Sequence, residues 1–198
     1  RTFPSAWLAD AYGLTETVSG DTFLDPDSTI SKLGSCGRPC QYLELDIWDP
    51  DGNSVPPGEP GEVVLRGPKV FRGYLRDPEA TERAFTSGWF HTGDVCIRDE
   101  EGYLYIVDRL KDMIVSGGEN IATSEVERVL YEHDAVVEVA VVGRPHERWG
   151  EVPIAFVVLK DEIEPEALIE HCRGQLAKFK VPTDVLVIDE LPRNPSGK

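Results

Sequence analysis

The chain has 198 residues, 40% hydrophobic and 28% charged, which is enough to bury one or two cores. Its formal net charge of −16 argues against binding nucleic acid or docking on an anionic membrane, because both need clustered Lys and Arg. No apolar run approaches the ~20 residues of a membrane helix, and no signal peptide is visible.

An acidic chain can still hold a phosphate locally, through a few cations, a metal ion or backbone N–H groups. The four cysteines (Cys36, Cys40, Cys96, Cys172) have no zinc or CxxC spacing. They are expected to be reduced thiols of a cytoplasmic protein.

Near the start the chain reads AYGLTETVSG. The turn at Gly13 is followed by Thr15, Glu16 and Thr17. Hydroxyls beside a tight turn can meet phosphate oxygens, and a carboxylate can hold Mg²⁺ next to them. A plain surface turn ending in a polar cap has the same spacing. Residues 34–66 predict β structure: a loosely alternating strand at Tyr42–Trp48, a Pro/Gly/Asp loop, and a strand at Glu62–Arg66. Residues 77–85 predict a short helix capped by Asp77 with Pro78 first. A hairpin follows, with strands at Val95–Arg98 and Tyr103–Val107 around a turn at Asp99–Gly102.

The tract Asp108–Asn120, DRLKDMIVSGGEN, separates two differently patterned halves. Its charges mark a solvated junction, and Gly117 and Gly118 permit backbone angles that other residues resist. It is expected to be a hinge. Beyond it, Ser124 and Glu127 have capping-box spacing, and Val126, Val129 and Leu130 form a helical stripe. Strands are expected at Ala135–Val142, Val152–Leu159 and Thr183–Ile188. A second helix should start at Pro165, with the stripe Leu168, Ile169, Cys172, Leu176 and Phe179.

Four motifs stand in order: Tyr12-Gly13-Leu14-Thr15-Glu16, Gly88–Asp94 (GWFHTGD), Asp108–Asp112 running into Ser116–Asn120, and Leu191–Lys198 (LPRNPSGK). In that order and spacing the chain resembles the adenylate-forming superfamily, which includes acyl- and aryl-CoA ligases and nonribosomal-peptide adenylation domains. The tract GGEN is more similar to the CoA ligases. The resemblance implies an α/β and α+β multidomain protein. Residues 1–110 would be the β-rich end of the large AMP-binding domain. Residues 111–198 would be a small mobile α+β domain with a three-stranded sheet, hinged near Lys111.

The resemblance also implies the chemistry: ATP-dependent formation of an acyl-adenylate from a carboxylic acid, then a thioester with CoA. A carboxylate attacking an α-phosphate needs positive charge in the site. Glu16 would hold Mg²⁺, Thr15 would meet the α-phosphate, and Tyr12, with Gly13 at its turn, would lie along the adenine. Asp94 would accept the ribose hydroxyls, and Arg109 would add a ribose or phosphate contact. Lys198 would bridge the acid and the α-phosphate, as a compact charge on a flexible stem can. Taken singly, Asp94 reads as a turn carboxylate and Lys198 as a solvated tail; only their joint occurrence with the other motifs argues otherwise. Gly117 and Gly118 would line the pantetheine channel, though a plain tight turn has the same signature. Phe179 would stack on the CoA adenine. Val181 falls where some relatives place an Arg for the CoA phosphate, and Lys178 or Lys180 could substitute. Trp89, Arg38 and the cysteines read as structural.

A Ser/Thr/Gly-rich phosphate loop, which in the family lies far upstream of YGxTE, is not found in the sequence. The chain is therefore expected to be the C-terminal portion of a ligase and inactive alone. An adenylation domain loading a carrier-protein thiol, or a non-catalytic module of the same fold, are the alternatives. The sequence does not say which acid is used or what oligomer forms.

Overall fold

The computed structural model describes residues 9–18 and 20–194. Two compact units make up the chain, Arg1–Leu110 and Lys111–Lys198. Among the described residues no helix is long and apolar enough to cross a membrane.

In the first unit, β1 (Ala11–Tyr12), β2 (Thr22–Phe23) and β3 (Arg38–Pro39) form a small antiparallel sheet. A five-stranded sheet is built from β4 (Glu44–Trp48), β5 (Pro60–Arg66), β6 (Phe85–Thr86), β7 (Trp89–Arg98) and β8 (Leu104–Arg109). Its order is β4-β5-β7-β6, with β8 also paired to β7. In β5 the β-branched run Val63, Val64 and the following Leu65 are all buried, so this strand is covered on both faces. Ile47, Phe90, Cys96 and Leu104 close the core around Val63 and Leu65. Phe71 stacks on Phe85 and meets Phe90 edge-on.

Helix α1 (Pro78–Ala84) starts as its sequence demands: Asp77 Oδ1 accepts the Ala80 N–H at 2.9 Å, with Pro78 at the first helical position. Strand β7 begins at Trp89, six residues before the expected Val95, so the GWFHTGD tract lies largely within a strand. Trp89 packs on Trp48, and Arg38 lies over the Tyr103 ring.

The second unit contains β9 (Ile114–Ser116), β10 (Glu119–Ile121), α2 (Thr123–Tyr131), β11 (Val136–His146), β12 (Gly150–Leu159), α3 (Pro165–Arg173) and β13 (Asp184–Val187). Strands β11, β12 and β13 correspond to the three expected from the sequence. The short β9 and β10 extend the sheet to five, in the order β10-β9-β12-β11 with β13 parallel to β12. A parallel neighbour needs a crossover, and α3 supplies it. Val126, Val129 and Leu130 of α2 and Leu168, Ile169 and Cys172 of α3 share one core with Val139, Val141, Ala155 and Val157 of the sheet. Burial in it pushes the Cys172 thiol up to about 11.

Two local expectations are corrected. The N-cap of α2 is Ala122, with no side-chain capping bond, so Ser124 lies inside the first turn and not at the cap. Glu127 instead accepts the Val141 N–H at 2.9 Å, tying α2 to β11. Phe179 does not continue the stripe of α3, which ends at Arg173; it sits in a 3₁₀ turn, Lys178–Lys180, and is 40% exposed.

Candidate functional site

Three residues distant in sequence meet at one carboxylate of the first unit. Asp94 lies in β7 and is buried. Tyr12 Oη donates to its Oδ2 at 2.7 Å, and Arg109 Nε lies 3.3 Å from its Oδ1. The register of the β7–β8 ladder makes the second contact, because Asp94 and Arg109 are cross-strand partners. Burial first, and then the bond to Asp94, raise the Tyr12 phenol above its ordinary value of 10.0, so Tyr12 stays a donor throughout the physiological range. The site thus presents an oriented carboxylate with a half-exposed guanidinium beside it.

Asp94 is held by a shell that sequence reasoning missed. Glu62 Oε1 accepts the Gly93 N–H at 2.9 Å, and Glu62 Oε2 lies 2.8 Å from His91 Nδ1. The Thr92 hydroxyl donates to the Val63 carbonyl at 2.8 Å and accepts the Asp94 N–H at 3.1 Å. A register shift in the β5–β7 ladder between Glu62 and Val64 gives these side chains room. No local pattern points to Glu62, which lies 31 residues from Gly93.

The Gly13 turn leads into a 3₁₀ turn, Thr15–Thr17, in which Thr15 is exposed and Glu16 partly so. Thr17 is structural: its buried hydroxyl accepts the Leu14 N–H at 3.3 Å and donates to Asp21. Glu16 Oε1 accepts a bond from the Tyr74 hydroxyl at 3.0 Å. Among the described residues no group of three or more His, Cys, Asp or Glu could hold a metal unaided. One carboxylate beside a hydroxyl does fit Mg²⁺ that takes the rest of its shell from phosphates and water.

In the second unit, Gly117 and Gly118 form the turn between β9 and β10, at φ 63° and 91°, a region that favours glycine. They differ in surroundings. A Cβ on Gly117 would come within 3.0 Å of the Trp149 ring, whereas Gly118 faces open space. The Gly117 N–H donates to the Trp149 carbonyl at 2.7 Å. Gly117, Trp149, His146, Lys178, Phe179 and Val181 line one groove. Lys180 pairs with Glu125 at 2.6 Å. Lys111 is exposed in the turn that opens this unit. Lys198 lies outside the described residues.

The family model of the AMP-binding enzyme matches residues 1–75, and that of the AMP-binding enzyme C-terminal domain matches residues 125–198. A 2-succinylbenzoate–CoA ligase of Geobacillus sp. (strain WCH70) is 47% identical over 189 residues, covering 94% of this chain and 38% of that relative. The o-succinylbenzoate CoA synthetase (MenE) of Bacillus subtilis, solved with the acyl-adenylate intermediate OSB-AMP, is 43% identical with a TM-score of 0.90. This chain covers 39% of it, and 96% of this chain is covered in return. The same enzyme solved with ATP and a magnesium ion is 43% identical with a TM-score of 0.88, at 96% and 39% coverage. The chain therefore spans about 38% of the length of the curated relatives it matches.

Proposed function

The chain belongs to the adenylate-forming AMP-binding enzymes, and from that premise we propose that it serves an ATP-dependent acid–CoA ligase. In the first half-reaction the carboxylate oxygen of the acid attacks the α-phosphorus of ATP. The P–O bond to pyrophosphate breaks and an acyl-adenylate forms. In the second, the thiol of CoA attacks the acyl carbon, and AMP leaves. The names of the relatives make 2-succinylbenzoate the first acid to test.

The observation that carries the reading is the convergence of Tyr12, Asp94 and Arg109. A buried carboxylate oriented by a phenol and a guanidinium is suited to a diol such as the ribose of ATP. Thr15 faces the phosphates and Glu16 contributes to Mg²⁺, which when bound screens the phosphate charge. Lys198 bridges the acid and the α-phosphate. The groove of the second unit receives CoA, with Phe179 under the adenine. Lys178, which lines that groove, is the lysine to pair with the phosphates, because Lys180 is engaged by Glu125. Lys111 is the pivot about which the second unit moves between the half-reactions.

The test is a chimeric ligase in which this chain replaces the matching segment of the Geobacillus relative. Formation of 2-succinylbenzoyl-CoA, AMP and pyrophosphate, dependent on ATP and Mg²⁺, is the expected result. A folded chimera that makes no adenylate, or that transfers the acyl group to a carrier-protein thiol and not to CoA, would overturn the assignment. The 198-residue chain alone should show no acid-dependent ATP–pyrophosphate exchange.

A further inference from the structure

The turn carrying Thr15 and Glu16 is capped locally by Thr17, and a second brace comes from a segment more than 50 residues away. Within Lys69–Tyr74 two contacts reach Glu16 itself and two reach Gly20 and Asp21, which follow the turn. Lys69 Nζ lies 3.1 Å from the fully buried Asp21 Oδ1 and donates to the Gly20 carbonyl at 2.7 Å. The Phe71 N–H donates to the Glu16 carbonyl at 2.7 Å, and the Tyr74 hydroxyl donates to Glu16 Oε1 at 3.0 Å. Glu16 is thus held at both ends, backbone and carboxylate, by the same segment.

That segment is itself fixed. The Tyr74 ring meets Phe71 edge-on with centroids 4.9 Å apart, and Phe71 belongs to the aromatic cluster of the core. The Tyr74 N–H donates to Thr81 Oγ1 at 2.9 Å, and a Cβ on Gly73 would come within 2.5 Å of Thr81 Cγ2. The loop is therefore pressed against α1, and the Tyr74 hydroxyl is aimed from a rigid base.

Resting on the reading of Glu16 as a magnesium carboxylate, we infer that Tyr74 is a positioning residue for that carboxylate. By occupying Oε1 it would fix the rotamer of Glu16 and leave Oε2 as the oxygen to hold a metal. An outer-shell partner of this kind orients a ligand and raises metal affinity without touching the metal. The hydroxyl is the only part of Tyr74 that this role needs; the ring is part of the packing.

The decisive variant is Tyr74→Phe in the chimeric ligase, which keeps the ring on Phe71. Mn²⁺ binding in the presence of a non-hydrolysable ATP analogue is read by electron paramagnetic resonance. Glu16→Gln is measured alongside. We expect Tyr74→Phe to bind Mn²⁺ about 10-fold more weakly, with an unchanged melting temperature and with kcat restored by excess Mg²⁺. Glu16→Gln should lose more and should not be rescued. Mn²⁺ affinity unchanged in Tyr74→Phe but lost in Glu16→Gln would overturn the role of Tyr74 and leave that of Glu16 standing. Affinity unchanged in both would overturn both.

Discussion

Tyr12 and Asp94 stand 82 residues apart in the chain, yet the phenol of the first donates to the carboxylate of the second at 2.7 Å. The bond makes Tyr12 a reporter of the folded site. Burial and the neighbouring Asp94 raise its pKa above the ordinary 10.0. Above pH 10 the unfolded chain loses this proton while the folded chain keeps it. The unfolded state then binds fewer protons, so stability falls as pH rises. Melting temperatures of the 198-residue chain between pH 9 and 11 should therefore drop more steeply in wild type than in Tyr12→Phe. Parallel slopes would show that Tyr12 is not protonated preferentially in the fold.

Asp94→Asn keeps the shape of the side chain and removes its charge. Hydrogen bonds to a charged group contribute about 1.5–3 kcal/mol, which corresponds to about 10–100-fold in affinity. In the chimeric ligase the KM for ATP should rise by that factor while the KM for CoA stays near wild type. A matching rise in both would mean that the substitution disturbs the fold and not a nucleotide contact.

Lys198 is assigned only to the first half-reaction. Lys198→Ala should lower acid-dependent ATP–pyrophosphate exchange by about 100- to 1,000-fold, the typical effect of removing one charge-stabilising group. Thioester formation from a supplied acyl-adenylate should be largely retained. Equal loss of both half-reactions would refute the assignment.

Gly117 gives the converse experiment. At φ 63°, with the Trp149 ring 3.0 Å from where a Cβ would be, Gly117→Leu must strain the backbone and displace the indole from the groove. A strained left-handed residue costs on the order of 1–3 kcal/mol locally. Adenylation should survive, and the rate of thioester formation should fall by at least about 10-fold. Normal CoA turnover in this variant would remove the GG turn from the thiol path.

The opposing effects expected at Lys198 and Gly117 show how far local sequence carries. Features decided within a few residues were legible without coordinates. These include the Asp77–Pro78 start of α1, the buried stripes of α2 and α3, and the apolar runs of β11 and β12. The four motifs are local too, which is why their order alone points to a family. Local pattern also misled where two local solutions compete: Ser124 and Glu127 have capping-box spacing, but the N-cap is Ala122, two residues earlier, and Glu127 accepts the Val141 N–H of β11.

What no window of the sequence contains is the partner of each functional side chain. Glu62 finds Gly93, Tyr74 finds Glu16, and Tyr12 finds Asp94 across 31, 58 and 82 residues. Those pairings follow from the strand register in the first unit and from a loop pressed onto α1. A slip of one residue in a ladder turns every side chain to the opposite face. Sequence therefore determined which chemical groups are present and which elements carry them. Tertiary structure alone decided which groups meet, because register and packing are settled by the burial of the whole core.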